Sequence, residues 1–407
     1  MRILFICHRV PFPPNKGEKI RAFHQLKAIA ARHEVDLFTL ADDRADLNHR
    51  DTLLQYCKRV TMARVHPKLA RALVFPSLLT SSPLSLPYFY SRELQRQVQS
   101  AVETHVYDRI FVSCSVMMQY VEKVVRIPIM IDLIDVDSDK WMQYAAATKF
   151  PLSAIYRREG HSLRRYEKTA CEKASVVLVA TEREAELARG IADRSRVAVV
   201  SNGVDTQYFD RLAVPPQSTG PAIVFTGDMS YLPNIKAVTY FAQEVLPLVR
   251  RSVGARFLIV GRNPSRAVQK LRHIGDVEVT GFVPDVRTYL ARAQVAVAPF
   301  SIAAGIQNKI LEAMAYGLPV VATPRVLQGL SHGVADVIAT GDSSEALAEH
   351  IVRLLRDPAL AERQGVEGRR RVTADYNWGH SLEKLLQLLE DPVRATPSKA
   401  AIQSSIP

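Results

Sequence analysis

Residues 299–324 read PFSIAAGIQNKILEAMAYGLPVVATP, and the order of their parts decides the architecture. The apolar strand candidate Val295–Ala298 delivers a loop at Gly305, a helix carrying Lys309 and Glu312 follows, and that helix ends at Gly317 before a second strand, Pro319–Ala322. A strand, helix and strand in this order form a βα unit of a parallel sheet. Lys309 and Glu312 are three residues apart and share one helix face. An ammonium suits a diphosphate as a point charge, and a carboxylate suits the two hydroxyls of a ribose. Taken alone, the pair reads equally as a surface ion pair.

The same alternation runs outward in both directions. In the first half the strand candidates are Arg2–Cys7, Val35–Leu40, Arg59–Met62, Arg109–Ser113, Pro128–Asp132 and Val176–Ala180. In the second half they are Ala222–Thr226, Arg256–Val260, Val277–Thr280, Val295–Ala298, Pro319–Ala322 and Val334–Ile338. Ile20, Phe23, Leu26 and Ile29 mark one buried helix face after the first strand. The fold expected is α/β, with two Rossmann-like domains facing each other across a cleft. The Pro, Gly, Ser and Thr content of Val214–Pro221 marks a linker. The expected division is an N-terminal domain over 1–205, a linker over 206–221, and a C-terminal domain over 222–376. A helix over 377–390 can cross back to the first domain, and 391–407 has the composition of a disordered tail. Residues 66–90, with prolines at 67, 76, 83 and 87, break the pattern. They read either as an interfacial or acceptor-contacting insertion or as a loop packed on its own domain.

A chain of 407 residues with nearly half its side chains apolar has enough material for two cores. Residues 1–200 hold 31 Lys and Arg against 22 Asp and Glu, so most of the net +12 sits in the N-terminal half. That basic surface suits anionic lipid or a phosphorylated substrate, or serves solubility alone. No zinc-finger or RNA-binding signature points to nucleic acid. Cys7, Cys57, Cys114 and Cys171 lack the short spacings of metal or disulfide frameworks and read as core residues in a reducing compartment. With no secretory signal and no membrane-length apolar run, the expectation is a cytoplasmic protein, with any membrane contact peripheral and at the inner face.

Ligands of open α/β sheets bind beyond the carboxyl ends of the strands. The segment Pro13-Pro14-Asn15-Lys16-Gly17-Glu18 lies there, and Gly17 either lets backbone N–H groups approach an anion or simply makes a turn. Neither candidate first strand is followed by G-x-G-x-x-G, and no Walker pattern is present, which disfavours a nicotinamide dehydrogenase and a P-loop kinase. After Pro128–Asp132 come Asp135, Asp137 and Asp139, which project to one side if the chain stays extended. They suit orientation of an acceptor hydroxyl, with a D-x-D metal site and helix capping by Asp137 or Ser138 as alternatives. Asn202-Gly203-Val204-Asp205 reads as a turn, and Arg164-Arg165-Tyr166-Glu167 as a solvated helix face.

The segment LEAMAYGLPVVAT resembles the donor-binding signature of retaining glycosyltransferase family 4, which has the GT-B fold. The resemblance continues, in order, through RILFICHRVPFPPNKGE, VVSNGVD, IVFTGDMSYLPNIKA, FLIVGR and VTGFVPDV, and LIDVDSDKW is similar to a branch associated with bacterial exopolysaccharide systems. The resemblance implies a nucleotide-sugar donor, a glycan or lipid-linked acceptor, transfer with retention, and no metal or other cofactor. It implies that Glu312 binds the donor ribose, that Gly305 and Ile306 offer backbone donors, and that Phe282 and Val283 lie near the base. Lys236, Arg262 and Lys309 are candidates to neutralise the diphosphate, with Gly17 at the anion-facing turn. Asp135, then Asp137, are the candidates nearest the reaction. Two departures are visible: the family's Glu eight residues before Glu312 is Ala304 here, and the family's His-Asp pair stands as Ile134-Asp135. A sugar-nucleotide epimerase and a catalytically silent nucleotide-sugar-binding protein are therefore the competing readings.

Overall fold

A computed structural model describes residues 1–65, 80–217 and 220–392. The first part of the 66–90 insertion and residues 393–407 of the expected tail lie outside the described residues. The chain divides into two compact units, one formed by Met1–Ser201 with the segment from Gly379 onward, the other by Asn202–Trp378.

The first unit is built on a parallel sheet of seven strands: β1 (Arg2–Cys7), β2 (Glu34–Ala41), β3 (Arg59–Arg64), β4 (Arg109–Ser113), β5 (Ile129–Asp132), β6 (Val176–Val179) and β7 (Val197–Val199), in the order β3-β2-β1-β4-β5-β6-β7. The register sets Cys7 beside both Thr39 and Ser113, and Ser113 beside Asp132, so polar residues line up at the carboxyl ends. Successive residues of β1 enter opposite cores: Leu4 and Ile6 pack on one side, Ile3, Phe5 and Cys7 on the other. A sheet covered on both faces needs continuous apolar strands, as observed. The helices that matter below are α1 (Gly17–Ala30), α2 (Asp137–Ala146), α3 (Leu152–Lys173) and α4 (Glu182–Arg189).

The second unit has six parallel strands, β8 (Ala222–Thr226), β9 (Arg256–Val260), β10 (Val277–Val279), β11 (Val295–Ala298), β12 (Val320–Ala322) and β13 (Ala339–Thr340), in the order β10-β9-β8-β11-β12-β13. Its relevant helices are α5 (Leu232–Tyr240) and α6 (Asn308–Tyr316). Gly317 closes α6 at φ 87°, a left-handed cap that glycine adopts without strain. The final helix, α7 (Trp378–Glu390), places Leu385, Leu386 and Leu389 in the core shared with Ile3 and Phe5, and Glu383 and Glu390 meet Arg32 and His33 of the first unit.

Three expectations change. The strand expected over Val334–Ile338 is instead a turn of helix, His332–Ala335, capped by the Ser331 hydroxyl, and β13 follows it. Strand β7 was not anticipated. The stretch 206–221, read as a linker, is tied to the second unit where it is described: Tyr316 Oη donates to the Val214 carbonyl at 2.6 Å, and Gln217 N to that of Ala291 at 2.7 Å. The turn at Gly203 is structural, since an added Cβ would lie 2.5 Å from the Trp378 ring.

Candidate functional site

In each sheet the chain reverses its direction of strand addition once, between β1 and β4 and between β8 and β11. Loops part at such points and open a crevice beyond the strand ends.

In the second unit, Gly227, Gly261 and Gly281 follow β8, β9 and β10 with φ of 150°, 144° and 75°. Gly227 N donates to the Val260 carbonyl, and a Cβ on Gly261 would lie 1.7 Å from the Gly227 oxygen. Only bare backbone fits that packing. A Cβ on Gly227 would in turn meet Lys309 Nζ at 2.9 Å, so the ammonium lies directly beside this turn. Lys309 donates to Asn234 Oδ1 at 2.6 Å, and its ammonium stands 4.4 Å and 4.8 Å from the Phe225 and Phe300 ring centroids. Asn234 donates onward to the Asp228 carbonyl, while the Asp228 carboxylate pairs with Arg262 at 3.1 Å.

Burial lowers the Lys309 pKa to about 7, against the opposing pull of Glu312 and Asp228. Burial also raises the Glu312 carboxyl to about 7, with Lys309 opposing. Glu312 is half-buried and has neither a hydrogen bond nor an ion pair among the described residues. A partly buried carboxylate without a protein hydrogen bond is open to donors that a ligand brings. The N-terminus of α6 has no side-chain cap, and the Asn308 and Lys309 amides precede Ile310 N, which donates to the Gln307 carbonyl, so an anion can meet the helix start there. Gly305, at φ 57°, turns the chain into that helix, and its carbonyl packs where a side chain on Gly329 would stand, 2.3 Å from an added Cβ. Val283 packs on the core and Phe282 is 73% exposed. Lys236 lies two residues beyond Asn234 on α5, beside a groove with Thr239, Tyr240 and Ser301.

The first unit holds Gly17, at the start of α1, and the acidic run. The chain there does not stay extended. Ile134 turns back at φ 65° and α2 begins at Asp137, so the three carboxylates do not line one side: Asp135 and Asp137 both meet Lys140, while Asp139 turns to Arg183. Asp132 is fully buried and accepts two hydrogen bonds from Arg21, at 2.7 Å and 3.0 Å, and one from Gln25 at 2.6 Å. Asp135 is hydrogen-bonded to the buried Glu184 and stands 3.7 Å from Lys140. Burial raises both carboxyls. Asp137 pairs with Lys140, and Asp139 with Arg183 at 2.9 Å. The helix cap is Val136, so neither Asp137 nor Ser138 caps it. Ser138 instead donates to Glu167, whose pKa burial lifts to about 7. Among the described residues no three His, Cys, Asp or Glu side chains are grouped to hold a metal ion.

Sequence reasoning missed Asp228 and Asn234, which link Arg262 to Lys309, and Glu184 and His8 in the first unit. His8 follows β1 and is half-buried, burial lowers its pKa to about 3, and its Nδ1 has no hydrogen-bond partner among the described residues. The hydroxyls of Ser113, at the end of β4, and Ser115, just after it, are buried and without a hydrogen-bond partner among the described residues as well. One signal was present in the sequence: Arg21 and Gln25, four residues apart, fall beside the apolar stripe of α1.

Residues 220–357 match the family described as glycosyl transferases group 1, about a third of the chain. Among curated proteins the chain is 28% identical over 250 residues to D-inositol 3-phosphate glycosyltransferase of Mycolicibacterium smegmatis, covering 54% of each. The chain spans about half the length of the curated relatives it matches. Among solved structures, sucrose-phosphate synthase from Thermosynechococcus elongatus superposes with a TM-score of 0.73 at 20% identity, over 97% of this chain and 100% of that one. Anabaena HepE in complex with UDP-glucose gives 0.67 at 17% identity, over 96% and 99%. The chain therefore has the GT-B fold of two Rossmann-like domains, and its second unit carries the match to the group 1 glycosyl transferases.

Proposed function

We propose that this chain is a metal-independent glycosyltransferase of family 4 type. It moves a sugar from a nucleoside-diphosphate sugar to a hydroxyl of a glycan or lipid-linked acceptor, with retention at the anomeric carbon, in exopolysaccharide or other cell-surface glycan synthesis. The observation that carries this reading is the half-buried, unpartnered Glu312 carboxylate on the helix face it shares with Lys309. A ribose diol supplies the donors Glu312 lacks, and a diphosphate supplies the charge Lys309 lacks. The match of residues 220–357 supports the class of reaction, and the UDP-glucose in the HepE complex supports the class of donor.

In this reading Phe282 and Val283 lie against the base, and the Gly305 and Ile306 amides face the phosphates or the sugar. Lys309, Arg262 and Lys236 surround the diphosphate, with Gly17 as an anion-facing turn of the first unit. As the bond from C1 to the phosphate oxygen breaks, the acceptor oxygen bonds to C1 and its proton passes to the departing phosphate. The products are the glycoside and a nucleoside diphosphate. Fixed cations stabilise the charge that collects on the leaving group. Asp135 orients the acceptor hydroxyl, with Asp137 the second candidate. Because Ala304 has no carboxyl, no step uses that position.

Incubation with a panel of nucleotide sugars tests the proposal. Nucleotide release that depends on an added acceptor supports it. Isomerisation of the donor without acceptor, or binding without turnover, contradicts it.

A further inference from the structure

Between Lys140 and Cys171 the sequence has seven Lys and Arg and two carboxylates, Glu159 and Glu167. Both carboxylates turn inward, at 1% and 0% exposure. Glu159 accepts from Leu84 N, Ser85 N and Ser85 Oγ, and Glu167 from both donors of Ser138. No carboxylate of this stretch reaches solvent. The cations stay outside: Arg157, His161, Arg164, Arg165 and Lys168 are exposed on α3 at helical spacing. Arg157, Arg164 and Arg165 have no ion pair among the described residues.

At one end of this face, the turn joining α2 and α3 leaves Phe150 83% exposed and Leu152 49% exposed, with Met142 of α2 exposed as well. Single exposed apolar side chains are ordinary. Three within eleven residues are not, at the end of a cationic face whose solvent-reaching carboxylate on α3, Glu172 beside Lys168, lies at the opposite end. Trp141, Tyr144 and Tyr156 brace the same hairpin through mutual ring contacts of 5.2 to 6.0 Å.

From this juxtaposition we propose that the α2–α3 hairpin of the first unit docks on an anionic lipid bilayer, with Phe150 and Leu152 entering the headgroup boundary and Arg157, Arg164 and Arg165 meeting anionic headgroups. Interfacial binding combines these two elements, apolar insertion and attraction to anionic lipid. A nucleic acid would engage the arginines and leave Phe150 and Leu152 in water.

The full chain is floated with vesicles of phosphatidylcholine alone and of phosphatidylcholine mixed with phosphatidylglycerol. Binding is expected only to the mixed vesicles, and high salt reverses it. Replacing Arg157, Arg164 and Arg165 by Gln together weakens it by about 100-fold, on the order of fivefold per arginine. The pair Phe150→Ser and Leu152→Ser weakens it at least about tenfold. Circular dichroism verifies folding, and each variant tests one half of the surface independently. Equal binding to neutral vesicles, no binding to the mixed ones, or indifference to both variants overturns the proposal. So does capture of an oligonucleotide through the arginines with no vesicle binding.

Discussion

At the carboxyl end of the first sheet, Asp132 is enclosed by Arg21 and Gln25, whereas in the second unit the Glu312 carboxylate has neither a hydrogen bond nor an ion pair among the described residues. The strand order reverses at equivalent points in both sheets, so topology does not explain the contrast. Side-chain chemistry does. In the first unit Asp132, Asp137 and Asp139 are each answered by a cation from a neighbouring element or turn. In the second, glycines after three successive strands keep the strand ends bare, and both titrating groups of α6 are displaced toward neutrality. Charges that satisfy one another hold a fold together; a charge left unsatisfied beside bare backbone is a place for a ligand.

Breaking the satisfied side carries the largest cost. Arg21→Met leaves Asp132 buried and unpaired, and the first unit should lose about 3–5 kcal/mol in chemical denaturation, with the transition of the second unit unmoved. Gly261→Ala strikes the bare side. The φ of 144° and the collision with the Gly227 carbonyl should cost about 1–3 kcal/mol in the second unit and weaken nucleotide binding with it.

A pH titration sharpens the contrast further. Burial holds free Lys309 near 7 and a bound diphosphate raises that value, so Lys309 takes up a proton as the ligand binds above pH 7. Nucleotide affinity should therefore fall as pH rises above about 7, by up to about tenfold per unit, and fall again below it as the Glu312 carboxylate takes up its own proton. Lys309→Met should abolish the fall above pH 7, leaving only the opposing contribution of Glu312, which accepts better once ionised. The smallest effect belongs to Asp137→Asn. Its pairing with Lys140 is one turn long and partly solvated, so the change should cost less than about 1 kcal/mol in thermal denaturation.

The strands were legible because burial on both faces demands runs such as Ile3–Cys7 and Val295–Ala298. β7 was not, because Val197–Val199 is three half-buried residues directly after a short polar helical turn, Arg194–Arg196. Residues 334–338 have the apolar content of a strand, but the Ser331 hydroxyl caps a helical turn there. The acidic run looked extended because its partners are remote: Glu167, 29 residues away, holds the start of α2 through Ser138, and Glu184 holds Asp135. In the second unit the spacing of Lys309 and Glu312 was visible along one helix. Asn234, Asp228 and Gly261 come from other βα units, and only the sheet brings them together.

The central claim is that Glu312 is left unpartnered in order to meet a nucleotide. Calorimetric titration of UDP, GDP and ADP into the intact chain, the Glu312→Ala variant and the Asp135→Asn variant addresses it directly. At least one nucleotide should bind the intact chain and the Asp135→Asn variant alike, and bind Glu312→Ala far more weakly. Equal affinity for the intact chain and Glu312→Ala would contradict the claim.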